Sequence, residues 1–513
     1  MKLRYLISLT ILLTVLNVNA DGTAEHSSSL FPTKMVSAQS FRSDFREQVY
    51  SNSSANFFKQ DYSLTSLGFL AGHEVADETR IAQLGKTESL WGFHAKSRYI
   101  LSKNDLVWGE ASYTNGKKED VKWNETSDFD LLYPYVMGDE FGGDMQYEQY
   151  YLKGGYAGQV NNWIFGATLG YRARSEYRTK DPRPNNTVAD LKAEISAGYN
   201  FGKYSLSLGV HAGKYKQTNE LKYFNDLGAS KEYHLTGLGN EFVRFSGASN
   251  NVFYKGYNFG GSINFIPVYG NGISASVMFN QFSFDKVLSD LNKLALNHLV
   301  ENKIKTEIAW AGRNGATGQY GVKLDAFYAR RNGNDNMFGD ATNNVFPQIG
   351  ATRMFENTKT GAILSGFYEQ SATRNLMLGI SPFAAFNRYK SLHIVSENTF
   401  DSDILTAGVF LQGAYIHKVN MFKLSVSAAY RAGIGTNMNI PQENVCHPTL
   451  YDTLHNIGRY LDSNETNTKI ALRYQIKLSF KGIHFFIEAS WSHRFYLNDK
   501  NSNYYTVQTG ICL

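Results

Sequence analysis

The sequence predicts an all-β protein, a transmembrane antiparallel up-and-down β-barrel of about eighteen strands, within roughly 14–18. Three observations carry this. Long segments alternate apolar and polar residues with period two, their connections alternate between short and long, and no stretch beyond the N-terminus is apolar enough for a helical span. The composition agrees: 34 Phe, 33 Tyr and 6 Trp stand beside only 9 Pro and 2 Cys in 513 residues, where an ordinary chain has about 5% Pro. Two cysteines exclude a disulfide scaffold or a cysteine metal cluster, and 42% hydrophobic with 19% charged residues excludes a disordered chain.

Residues 1–20 carry Lys2 and Arg4, an apolar stretch from Leu6 to Leu16 and an exit at Val18-Asn19-Ala20. That is the charge, length and small-residue pattern of a secretory signal peptide. Without Lys2 and Arg4 the 51 basic residues become 49 against 46 acidic, a formal charge of +3. So weak a balance lacks the basic footprint of a nucleic-acid binder. After Ala20 no apolar run approaches the length of a spanning helix, so a membrane position requires a barrel. Residues 21–59 read as a periplasmic leader or a plug for the lumen. Ser27-Ser28-Ser29 suggests a flexible start, whereas Phe41 to Tyr50 mixes apolar and charged residues at near-helical spacing.

Residues 60–513 are the expected barrel. Its strands are placed near 60–70, 88–101, 105–115, 145–157, 162–176, 188–200, 204–216, 252–266, 272–284, 296–310, 319–330, 359–369, 375–389, 402–416, 421–434, 466–480, 483–496 and 504–513. The clearest is 469–480, where Ile470, Leu472, Tyr474, Ile476 and Leu478 alternate with Lys469, Ala471, Arg473, Gln475 and Lys477. Most segments exceed the globular norm of about 5–6 residues and satisfy the about 9–11 of a tilted span. Even-numbered strands are followed by short connections, whereas odd-numbered strands are mostly followed by longer ones, including 115–144, 217–251, 331–358 and 435–465. Tight periplasmic turns and long external loops give this asymmetry. Tyr150, Tyr156, Trp163, Tyr171, Phe422, Tyr430, Trp491 and Phe495 fall on apolar faces where interfacial girdles belong.

Strand parity points Arg172, Arg174, Lys192, Lys323, Lys423, Arg431, Lys469, Arg473, Lys477 and Arg494 into the lumen with Glu194, Asp325 and Glu488. Such a cationic interior favours anionic solutes; the competing reading is an internal ion-pair network. Residues 117–144 collect Glu119, Asp120, Glu125, Asp128, Asp130, Asp139, Glu140 and Asp144 among Trp123, Tyr133 and Tyr135. Without calcium-loop spacing this reads as a solvated external loop. Asn332-Gly333-Asn334-Asp335-Asn336 reads as turn chemistry. Adjacent Ser492 and His493 point to opposite faces, and the 12 His form no metalloprotease spacing, so no enzyme, cofactor or metal site is expected. Cys446 and Cys512 fall at opposite ends of the barrel and are expected to be free.

Phe41-Arg42-Ser43, Tyr50-Ser51, Gln149-Tyr150-Tyr151-Leu152, Lys180-Asp181-Pro182-Arg183-Pro184-Asn185-Asn186 and Asp190-Leu191 carry a diffuse resemblance over most of the mature chain. The sequence resembles a family of unknown function among outer-membrane barrels of Bacteroides-type bacteria. The resemblance implies an outer-membrane location, contact with outer-membrane lipid, and a place beside a TonB-dependent receptor or surface lipoprotein in uptake. The expected role is a channel or companion component in uptake of a small solute. The alternative is a closed surface scaffold or adhesin whose long loops bind a partner.

Overall fold

The computed structural model describes residues 31–224, 231–245, 251–315, 317–342, 345–373, 375–478 and 482–513. The signal stretch 1–20 and residues 21–30, with their serine run, lie outside the described residues.

Eighteen strands form the wall. They are β1 (Leu64–Ala76), β2 (Thr87–Ile100), β3 (Asp105–Val121), β4 (Gly143–Val160), β5 (Trp163–Arg178) and β6 (Arg183–Asn200). Then come β7 (Tyr204–Lys222), β8 (Val252–Pro267), β9 (Gly272–Leu288), β10 (Leu294–Asn314), β11 (Gly318–Phe338) and β12 (Gln348–Ser371). The last six are β13 (Leu376–His393), β14 (Asn398–His417), β15 (Asn420–Asn439), β16 (Glu465–Lys477), β17 (His484–Tyr496) and β18 (Lys500–Cys512). Each pairs antiparallel with its sequence neighbours. The ring closes where β18 meets β1, in a register running from Ser66↔Cys512 to Ala76↔Ser502. Closure leaves no sheet edge to satisfy.

The alternation seen in sequence becomes a division between outside and inside. On β7, Leu206, Leu208 and Val210 are exposed, while Ser205, Ser207, His211 and Gln217 are buried. A water-soluble protein reverses this pattern, so the medium that matches the outer face is lipid. The eight aromatic residues assigned to girdles are all exposed on that outer face.

The strands run 13 to 24 residues; most are longer than expected, and most of the extra length lies at the long-loop end. Residues 331–338 and 348–358, expected as loop, belong to β11 and β12, which leaves 339–347 as the connection. Asn332 to Asn336 are accordingly strand residues, not a turn. Asn297 Nδ2 donates to Asp335 at 2.9 Å and Asn336 Nδ2 to the Ala295 carbonyl at 2.8 Å. Beyond the bilayer a strand needs no apolar face, so the sequence signal fades while backbone pairing continues. Several odd-numbered connections are also short, among them 179–182, 289–293, 394–397 and 497–499.

Candidate functional site

At the short-turn end, residues 31–59 lie inside the ring. Helix α1 (Phe31–Ala38) is followed by α2 (Phe41–Val49) and a 3₁₀ turn, Ala55–Phe58. Ser40 starts α2 by accepting from the Ser43 amide at 3.2 Å, leaving one donor fewer unsatisfied in the first turn. Arg42, Phe45 and Val49 share the buried face.

Inward side chains around the ring hold this segment. Glu369 of β12 accepts from the Phe41 amide at 2.7 Å, and Arg42 donates to the Gly270 carbonyl at 2.7 Å and to Asn271 at 2.6 Å. Lys423 of β15 donates to the Gln39 carbonyl at 2.9 Å, and Asn264 of β8 to the Val49 carbonyl at 2.6 Å. Glu194 of β6 accepts from both the Ser53 amide and its hydroxyl, at 2.7 and 2.8 Å. Arg98 of β2 donates to the carbonyls of Asn56, Phe57 and Gln60 at 2.9, 3.3 and 3.1 Å. Glu47 pairs with Lys59 at 2.8 Å and Lys96 at 3.1 Å. The backbone passes so near β5 that a Cβ on Gly166 would lie 2.6 Å from the Ser53 carbonyl carbon; only glycine leaves that room. Two small apolar clusters add anchorage: Met35 and Val36 against Met421 and Phe486, and Val49, Tyr50 and Ala55 against Ile266 and Ala309.

At the long-loop end the connection 122–142 folds inward as a cap, correcting its expected place in solvent. Trp123, Leu132, Tyr135, Val136 and Met137 pack on Tyr215, Tyr254, Phe284 and Leu299 from the wall. Its carboxylates meet arginines. Asp128 takes both Arg172 nitrogens at 2.9 and 2.6 Å. Fully buried Arg178 pairs with Glu125 at 3.2 Å and Asp139 at 2.7 Å. Asn186 and Asn219 donate to the Glu125 carbonyl at 2.7 and 2.8 Å, so Asn186, at the end of the 180–186 stretch, helps to seat the cap. Tyr233–Gly237 pairs with Met137–Gly138 and Asn240–Glu241 in a three-stranded sheet, and helix α3 (Pro448–Asp462) packs beside it, with Leu450 in the same apolar cluster.

Glu125 and Glu232 also hydrogen-bond each other. Burial raises Glu125 well above its ordinary range, with Glu232 and Asp139 adding to the rise, and burial raises Glu232 to about 7. The folded cap therefore keeps a proton that the released loop gives up. Its contribution is complete below the ordinary value of 4.5 and is lost as pH rises through about 7. Amide protection factors over residues 231–241 should be higher at pH 5 than at pH 8, and Glu232→Gln should reduce that difference to the part that Glu125 carries.

Ten of the thirteen lumen positions read from parity sit as follows. Arg172 is bound to Asp128, and Arg174 pairs with Glu176 at 3.0 Å. Lys323 pairs with Asp325 at 3.0 Å and reaches Gln48 of the inner segment. Arg431 and Arg494 share Glu465 at 3.7 and 2.9 Å, and Arg473 pairs with Glu488 at 3.4 Å. Glu194 holds Ser53, and Lys192 stands exposed two residues before it. An internal network, rather than a lining of free cations, describes most of these residues. Beside it remains a cavity of about 380 Å³ against β2, β3 and the last strands, lined among others by Lys96, Trp108, Lys153, Glu194, Arg473 and Gln508.

Ser492 bonds Asn467 at 3.0 Å and His493 bonds Asn503 at 3.0 Å, so these neighbours form no nucleophile–base pair. Among the described residues no group of His, Cys, Asp and Glu has a metal-holding arrangement. Cys446 and Cys512 are free, and burial pushes the Cys446 thiol up to about 12.

A closed eighteen-strand ring, apolar outside and filled with polar contacts, defines an outer-membrane-type β-barrel with an occupied lumen. Residues 53–513 match the family of unknown function DUF6850, and the chain belongs to that family. None of the curated proteins matches it. Among solved structures it is similar to the ferric preacinetobactin receptor BauA of Acinetobacter baumannii, at 10% identity over 88% of this chain and 79% of that one, TM-score 0.36. It is also similar to the ferric citrate transporter FecA, at 9% identity over 88% and 79%, TM-score 0.36. Pseudomonas aeruginosa OccK5 (OpdH) is 12% identical over 88% and 98%, TM-score 0.30.

Proposed function

We propose that this barrel resides in the outer membrane and takes part in uptake of a small solute, with residues 31–59 closing the lumen at rest. The signal-like residues 1–20 would direct export, and the short-turn end, where Leu513 bonds Thr65 and the inner segment enters, would face the periplasm. The observation that carries the reading is how residues 31–59 are held. Hydrogen bonds and ion pairs to wall side chains hold them, which water can replace at a net cost of roughly 1.5–3 kcal/mol each where a charged group takes part. Such a seat holds a segment in place and still lets it leave. As a companion component, the barrel would draw on a TonB-dependent receptor or a surface lipoprotein, which co-purification from native membranes would identify.

Arg98→Ala combined with Glu194→Ala tests the displaceable seat, because both side chains sit on the wall and contact the segment. In proteoliposomes, swelling in a small sugar should become several-fold faster than with the unaltered chain. A folded variant with an unchanged rate would argue against release. The scaffold reading draws on the cap, whose apolar core joins three loops into a fixed outer surface; on that reading both proteins leave the vesicles impermeable.

A further inference from the structure

Along the outer face of β7 the exposed residues read Leu206, Leu208, Val210 and Ala212, and then change to Lys214 and Lys216. On β8 the same face reads Phe265, Ile263, Phe259 and Tyr257, and then Lys255. The register sets Lys255 directly opposite Lys216, and Lys214 opposite Tyr257. Three exposed ammonium groups thus cluster at the long-loop border of the apolar belt. Like charges directly opposite each other across a sheet are destabilising. Among the described residues, none of the three forms an ion pair. Asp285, in register with Lys255, is engaged by His298 at 2.7 Å, and Glu220 lies two outward positions beyond Lys216. The Lys255 ammonium lies 5.7 Å from the centre of the Tyr257 ring, with Leu191 exposed on β6 beside Lys214.

We infer that Lys214, Lys216 and Lys255 form a binding site for the phosphate groups of a lipid headgroup in the outward leaflet. Placement and charge together select that ligand. The apolar rows below the lysines match acyl chains, and the aromatic ring at the border matches the interfacial zone. The ammonium groups stand where headgroup phosphates lie, and a phosphate between Lys216 and Lys255 turns their repulsion into two attractions. The assignment rests on the membrane reading proposed above.

The test uses the full chain refolded into phosphatidylcholine vesicles with or without lipid A, followed by gentle detergent extraction and native mass spectrometry. The unaltered protein should retain lipid A. The triple variant K214Q/K216Q/K255Q should bind it about a hundredfold more weakly, which corresponds to roughly 1 kcal/mol per lysine near an anionic surface. K214R/K216R/K255R should keep binding. Equal retention by the wild type and the glutamine variant, or equal retention of dephosphorylated lipid A, would overturn the site while leaving the membrane reading intact. Failure of a folded barrel to insert into either vesicle would overturn both.

Discussion

Arg178→Met is expected to release the cap while leaving the barrel wall folded. Arg178 is the buried counter-charge of Glu125 and Asp139, at 3.2 and 2.7 Å, and all three side chains are fully buried. Removing one partner of such a cluster strands the others without a counter-charge, at a cost of about 3–5 kcal/mol. The eighteen-strand ring does not depend on this cluster, since its backbone pairing is continuous from β1 to β18. Heat-modifiable gel mobility should therefore stay that of a closed barrel while amide protection over residues 122–142 collapses. Adding Glu125→Leu and Asp139→Leu to Arg178→Met should restore much of that protection, because an apolar trio needs no counter-charge. If the single variant keeps full protection, the arginine does not hold the cap.

Trp123→Ala should loosen all three long connections together. The Trp123 ring meets Tyr233 at 5.2 Å and His447 at 5.4 Å between centroids, so one side chain touches the inward loop, the small sheet and the residue before α3. Truncating a buried aromatic costs about 3–5 kcal/mol. Limited proteolysis of intact cells or vesicles should then cut within 122–142, 231–245 and 440–464, where the unaltered protein resists. Cleavage confined to 122–142 would show that the loops are held separately.

The wall was legible because each strand answers to a strong physical demand, lipid on one side and water or polar contacts on the other. That demand writes period two into stretches such as 470–477 and 204–216. It stops at the membrane border, which is why the upper parts of β11 and β12, with Asn332 to Asn336, looked like turn. The lumen was harder to read. Counting inward residues strand by strand gave many cations and few anions, because it left out Asp128 on the cap and the carboxylates near the strand ends, Glu176 and Glu465, that neutralise Arg172, Arg174, Arg431 and Arg494. The seating of residues 31–59 used main-chain carbonyls and the bare backbone at Gly166, neither of which leaves a mark in side-chain patterning. Arg98 and Arg178 were missed for a related reason. Their partners lie 38 to 53 residues away, and only the long-range fold brings them together.

Single-channel recording in planar bilayers, comparing the full chain with one lacking residues 31–59, tests the central claim most directly. The account predicts that the full chain stays closed except for rare openings and that the shortened chain carries a persistent current. A shortened chain that folds and inserts as a barrel yet stays silent, or a full chain with the same steady current, would contradict closure by this segment.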